Sequence, residues 1–92
     1  MIRHEIKTFA DTNATILDKT NHIRSAYTII LQNINASGYI YLGGENVSSA
    51  SYGYRLYPGQ GITLEMPAAG FLYGAAETVG MQVSIMEIDR AI

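Results

Sequence analysis

The sequence contains no cysteine, two prolines, two histidines and little charge: Asp, Glu, Lys and Arg make up 15% of its 92 residues. Each scarcity excludes something. Without cysteine there is no disulfide framework and no thiolate metal site, so a chain this short must hold itself by packing or by assembly. A domain of this size buries only about 60–65% of its unfolded surface, and a neighbouring subunit would add to its stability by mass action. Ordinary soluble domains carry about 25% charged residues. The shortfall here, beside 48% hydrophobic residues, implies surface that is neutral or apolar and suited to a partner. The net charge is −2 with both signs spread along the chain, so no basic run exists to neutralise phosphates, and nucleic acid is not expected as a partner. No apolar stretch approaches the roughly 20 residues of a membrane helix, and there is no basic amphipathic helix for a membrane surface. The opening Met1-Ile2-Arg3-His4-Glu5 lacks the apolar core of a signal peptide, which suggests a chain made in a cytoplasm.

Reactive chemistry is equally scarce. Nucleophilic catalysis needs a base held beside a nucleophile. The two candidates, His4 near the terminus and His22 in a polar stretch, read as solvated histidines. No His-x-x-x-His and no Asp-x-Asp loop occurs, so neither a metal nor another cofactor is expected. Glu45, Glu65, Glu77 and Glu87 are scattered and read as solvated charges rather than an acid–base pair. Gly43-Gly44 lacks the Lys-Ser/Thr and the helix of a phosphate loop and reads as a tight turn or bulge. The expectation is a protein that is not an enzyme.

What the sequence has is alternation at a period of two, with no sustained helical period. Ile2, His4, Ile6 and Thr8 alternate with Arg3, Glu5, Lys7 and Phe9, a first strand or an arm within residues 1–12. Further strands read as Ala14–Leu17, Tyr27–Asn33, Tyr39–Leu42, Tyr54–Tyr57, Gly61–Met66, Phe71–Ala75 and Met81–Ile88, with a polar loop over Asp18–Ser25. Tyr27-Thr28-Ile29-Ile30-Leu31 has the continuous β-branched and aromatic character of a central strand, and would be an aggregation hazard at a free edge. Pro58-Gly59 is a turn signal: proline fixes φ and glycine supplies φ > 0. Turn signals at short, regular intervals predict one all-β domain over residues 1–92, an antiparallel sandwich or jelly-roll-like barrel of about eight short strands.

Seven tyrosines complete the picture, five of them between residues 39 and 57. Tyrosine combines large contact area, few rotors and a polar tip, which enriches it at interfaces. Tyr39 and Tyr41 share one strand face and the alternate face is aliphatic. The candidate interface residues are Tyr39, Tyr41, Tyr52, Tyr54 and Tyr57, with Ile2, Ile6 and Phe9 from the leading segment. An aromatic platform for sugar rings on a host surface is the alternative use of the same tyrosines.

From Ala14 onward the order of signals resembles the small β-sandwich proteins of tailed-bacteriophage virions that serve as head decoration, cement or minor capsid proteins. The strand Ala14–Leu17 leads to Asn21-His22-Ile23-Arg24, then to Tyr27–Asn33 closing on asparagine. Tyr39–Leu42 runs into Gly43-Gly44; a Ser-rich loop reaches Gly53-Tyr54-Arg55-Leu56, then Pro58-Gly59 and Ile62–Glu65. Leu72-Tyr73-Gly74-Ala75 precedes the last strand, Val83–Glu87. The likeness spans residues 14–88 and leaves the segment Met1–Asp11 outside. It implies a structural subunit of the virion, located on the capsid surface, made in the host cytoplasm and bound to the major capsid protein or another virion protein. It also implies a homo-oligomer, with a trimer suited to the local three-fold axes of a shell.

Overall fold

The computed structural model describes residues 2–17, 26–67 and 71–89. Among these residues there are eight strands: β1 (Ile2–Thr8), β2 (Thr15–Ile16), β3 (Tyr27–Asn33), β4 (Ile40–Gly43), β5 (Tyr54–Leu56), β6 (Gly61–Met66), β7 (Tyr73–Ala76) and β8 (Gln82–Asp89). They form two four-stranded antiparallel sheets, ordered β1-β8-β3-β6 and β2-β7-β4-β5. That interleaved order is the jelly roll, in which chain-adjacent strands tend to lie in opposite sheets. Every strand expected from alternation is found, two with the expected bounds and the others with ends that shift by one or two residues. The expected loop over Asp18–Ser25, with His22 and the Asn21–Arg24 signal, lies outside the described residues.

The core sits between the sheets and follows the parity of each strand. From the first sheet come Tyr27, Ile29 and Leu31 of β3 and Val83 and Ile85 of β8, with Ile62, Leu64 and Met66 of β6 packed against them. Facing them in the second sheet are Ile40 and Leu42 of β4, Leu56 of β5 and Ala76 of β7. Gly74 makes room for the buried Leu17 beside it at the end of β2: a Cβ there would come within 2.9 Å of the Leu17 side chain. β3, the aggregation-prone strand, lies mid-sheet with β8 on one side and β6 on the other, so its backbone is paired along both edges.

The corner between β3 and β4 is held by asparagines. Asn33 is fully buried, yet its amide donates to the Gly38 and Leu56 carbonyls, both at 3.0 Å. Its carbonyl oxygen accepts from the Asn35 backbone N–H at 3.0 Å and the Asn35 side-chain amide at 2.7 Å. Asn35 in turn donates to the Gln82 carbonyl at 2.7 Å and accepts from the Gln82 N–H at 2.9 Å. A buried amide is tolerated when it is satisfied in this way. At the other expected corner, Gln60 N–H donates to the Tyr57 carbonyl at 2.9 Å across Pro58-Gly59, and Gly59 adopts φ of 81°, as a type II turn requires.

Of the two readings of the leading segment, residues 2–8 take the strand: they form the edge of the first sheet, in register with β8 from Ile2↔Ile88 to Thr8↔Gln82. Two expectations are corrected. Phe9 is not open to a partner. It falls on the inward parity of β1 and is fully buried in the core, with its N–H donating to the Met81 carbonyl at 2.8 Å. Glu87 is not a solvated charge: it shares the inward parity of Val83 and Ile85, is 2% exposed, and accepts from Arg3 Nε at 2.6 Å. Arg3 also pairs with Glu5 and makes a second contact to Glu87 through Nη2. Burial opposes the Arg3 charge, but the bonds to Glu5 and Glu87 outweigh it and hold its pKa above the ordinary arginine value.

Candidate protein-binding site

The second sheet carries its own small cluster on the side away from the core. Parity places Tyr41 of β4 there beside Ala75 of β7 and Arg55 of β5, the residues opposite it in register. Tyr41, Val47 and Ala75 are buried together, with Ala14, Tyr39 and Tyr73 packed around them. Val47 arrives on the loop after β4. That loop is folded by the Val47 N–H to the Gly44 carbonyl at 3.1 Å, by a tight pairing of Ser48 with Ser51, and by the Gly53 N–H to the Leu42 carbonyl at 2.8 Å. A side chain at Gly43 would meet Val47 at 3.2 Å, so the loop lies flat on the sheet because that position has none.

On this base stands an aromatic–cation array. Tyr41 and Tyr52 rings are 4.9 Å apart and tilted by 42°, Tyr39 and Tyr57 are 5.2 Å apart edge to face, and Tyr39 and Tyr41 are 6.5 Å apart. Arg55 lies over Tyr39 at 4.5 Å and Tyr57 at 5.1 Å, and donates to the Tyr57 hydroxyl at 2.8 Å. Such cation–π contacts fix the guanidinium while leaving donors over. The bond to Tyr57 raises the Arg55 pKa above its ordinary value. Burial, then the nearby charge of Glu77, pushes the Tyr41 hydroxyl up. Glu77 also accepts from the Tyr39 N–H at 2.9 Å and donates its own N–H to the Tyr39 carbonyl at 3.1 Å, which pins the Tyr39 end of the array.

Of the candidate residues, the structure brings together Tyr39, Tyr41, Tyr52 and Tyr57. Tyr52 and Tyr57 are exposed, Tyr39 is half-buried and Tyr41 is buried beneath them. Tyr54 stands apart: its register with Leu42 puts it on the other face of the sheet, at the edge, where its hydroxyl accepts from Gln60 at 2.8 Å. Ile2 and Ile6 are exposed on the outer face of the other sheet, on β1. Arg55 and Glu77 were not among the candidates. Arg55 could have been found, because it is the cation embedded in the tyrosine-rich window and shares the parity of Tyr57. Glu77 reaches the array through a pairing of β4 with β7 that lies 38 residues away in sequence. Among the described residues no three His, Asp or Glu side chains come together to hold a metal ion.

No protein-family model matches the chain, and the search of curated proteins finds no match to it.

Proposed function

We propose that this chain is a non-enzymatic structural subunit that binds a protein surface through the tyrosine–arginine face of its second sheet. The surface in view is that of a tailed-bacteriophage capsid, which the chain decorates or cements. The observation that carries this reading is the array itself. Exposed Tyr52 and Tyr57 and the stacked Arg55 stand on a buried layer of Tyr41, Val47 and Ala75. Tyrosine and arginine are the residue types that dominate binding hot spots, and a rigid base lowers the entropy lost when they are immobilised. The capsid assignment rests on the resemblance of residues 14–88; the jelly-roll order of the strands is shared by capsid and lectin domains alike.

The sugar-platform reading needs open, flat ring faces. Arg55 already covers a face of Tyr39 and of Tyr57, and the other rings meet edge-on or tilted. A protein partner therefore fits the array better. The test is co-sedimentation of the purified chain with capsid particles from cells producing it. The chain is expected on particles, and Tyr52→Ala/Tyr57→Ala is expected to lower occupancy at least tenfold with the fold intact by circular dichroism. Particles that carry none of the chain, or a double variant that binds as the wild type does, overturn the reading.

A further inference from the structure

The leading strand carries a second surface. Among the described residues β1 pairs only with β8, so its other edge bears backbone donors and acceptors that no strand takes up. The phase of that edge follows from one bond. The Phe9 N–H points to the Met81 carbonyl, across the same register that pairs β1 with β8. N–H direction alternates along an antiparallel strand, so Phe9, Lys7, Glu5 and Arg3 face β8, while Thr8, Ile6, His4 and Ile2 present their backbone groups to the open edge. The same even-numbered residues turn their side chains to the outer face of the sheet. There Ile2 and Ile6 are 64% and 60% exposed. Ile88 and Met86, opposite Ile2 and His4 on β8, continue the apolar strip inward to Ile30 of β3. β1 is a seven-residue edge strand whose open-edge residues include the exposed Ile2 and Ile6, and an uncovered strand edge is a template for pairing with another strand.

We infer that the occupant of this edge is β1 of a second copy, paired antiparallel about a two-fold axis through His4. Two-fold pairing must match outer face to outer face and open donor to open acceptor, which restricts it to registers where even-numbered residues oppose even-numbered ones. Three such registers keep the strands overlapped. Centring on Glu5 sets Glu5 against Glu5 and Arg3 against Lys7, and like charges directly opposite destabilise a sheet. Centring on Ile6 pairs Glu5 with Lys7 but leaves Ile2 beyond the strand. Centring on His4 pairs Ile2 with Ile6 twice, sets Arg3 opposite Glu5 twice, and closes about six backbone hydrogen bonds. Only that register combines opposite charges on the inner face with burial of all four isoleucines. It also joins the two outer apolar strips into one. The arrangement is isologous and therefore closed, which gives a dimer and not an open fibre. It replaces the three-fold assembly suggested by the resemblance, and it leaves the tyrosine–arginine face of each copy free.

The absence of native cysteine makes the register directly measurable. The axial residue of each register would lie beside its own copy, within about 4.5–5.5 Å between Cα atoms, which a disulfide can span. Under mild oxidation, His4→Cys is expected to form a covalent dimer, with Glu5→Cys and Ile6→Cys remaining monomeric on non-reducing gels. Sedimentation of the unmodified chain is expected to give a dimer, and Ile2→Lys/Ile6→Lys to shift it to monomer with an unchanged β spectrum. A trimer, a monomer at high concentration, or cross-linking at residue 5 or 6 in place of 4 overturns the inference. Capsid occupancy of the Ile2→Lys/Ile6→Lys variant separates the two surfaces: loss of dimer with binding retained at the tyrosine face is the expected result, and a dimer that persists in this variant refutes the pairing.

Discussion

The first sheet is made of strands of six to eight residues, whereas those of the second have two to four. On the outer face of the first sheet Ile2 and Ile6 stand exposed. The second sheet adds a layer outside itself, Tyr41, Val47 and Ala75 beneath the folded-back loop. The difference shows how one small domain can display two unlike surfaces. One is a strand edge that offers backbone groups and an apolar strip. The other is a side-chain array of rings and a cation that stands on a second small core.

Three measurements can break or sharpen this contrast. The largest effect is expected at the ion pair behind the first sheet. The Glu87 side chain is 1% exposed and that of Arg3 27%. Removing the arginine takes its charged partner from a buried carboxylate, so Arg3→Met should destabilise by about 3–5 kcal/mol in urea unfolding. Glu87→Gln should cost less, since Arg3 can turn to water. Equal costs would mean that the pair is not asymmetric in burial.

Next, Leu31→Ala in the main core should cost about 2–5 kcal/mol, and Val47→Ala in the outer layer about 1–2 kcal/mol, scaled to the smaller apolar area lost. If the valine costs as much as the leucine, the outer layer is part of the core and not a support for the array.

The smallest effect is electrostatic. The folded state holds the Tyr41 hydroxyl above its ordinary value of 10.0. Above about pH 10 the unfolded chain therefore loses that proton before the folded chain does, and stability falls as pH rises through this window. Tyr41→Phe should flatten that part of the alkaline stability curve. An unchanged slope would show that Tyr41 is not desolvated.

Much of this fold was legible in the sequence because strand parity is local. Ile62, Leu64 and Met66 alternate as they pack, and Pro58-Gly59 turns as its φ preferences dictate. Parity alone does not say which side is inside. In β1 the apolar set Ile2 and Ile6 faces out, and Arg3, Glu5 and Lys7 face in. Hydrophobicity would choose the reverse, and the cause is a partner 84 residues distant, the buried Glu87. The tyrosine array was legible as composition but not as geometry. Tyr54 and Tyr57 are three residues apart and leave on opposite faces, so only the pairing of β5 with β4 decides which joins the cluster.

The asparagine corner has a mechanical consequence. Two sheets that touch only through apolar side chains can slide, because dispersion contacts have no preferred direction. Asn33 ties the end of β3 to carbonyls at Gly38 and Leu56, and Asn35 ties the same corner to Gln82. A pull on the tyrosine-bearing sheet is therefore carried to the other as tension along directional bonds. A subunit fastened to a shell at one face and to its twin at another would transmit strain between them instead of absorbing it.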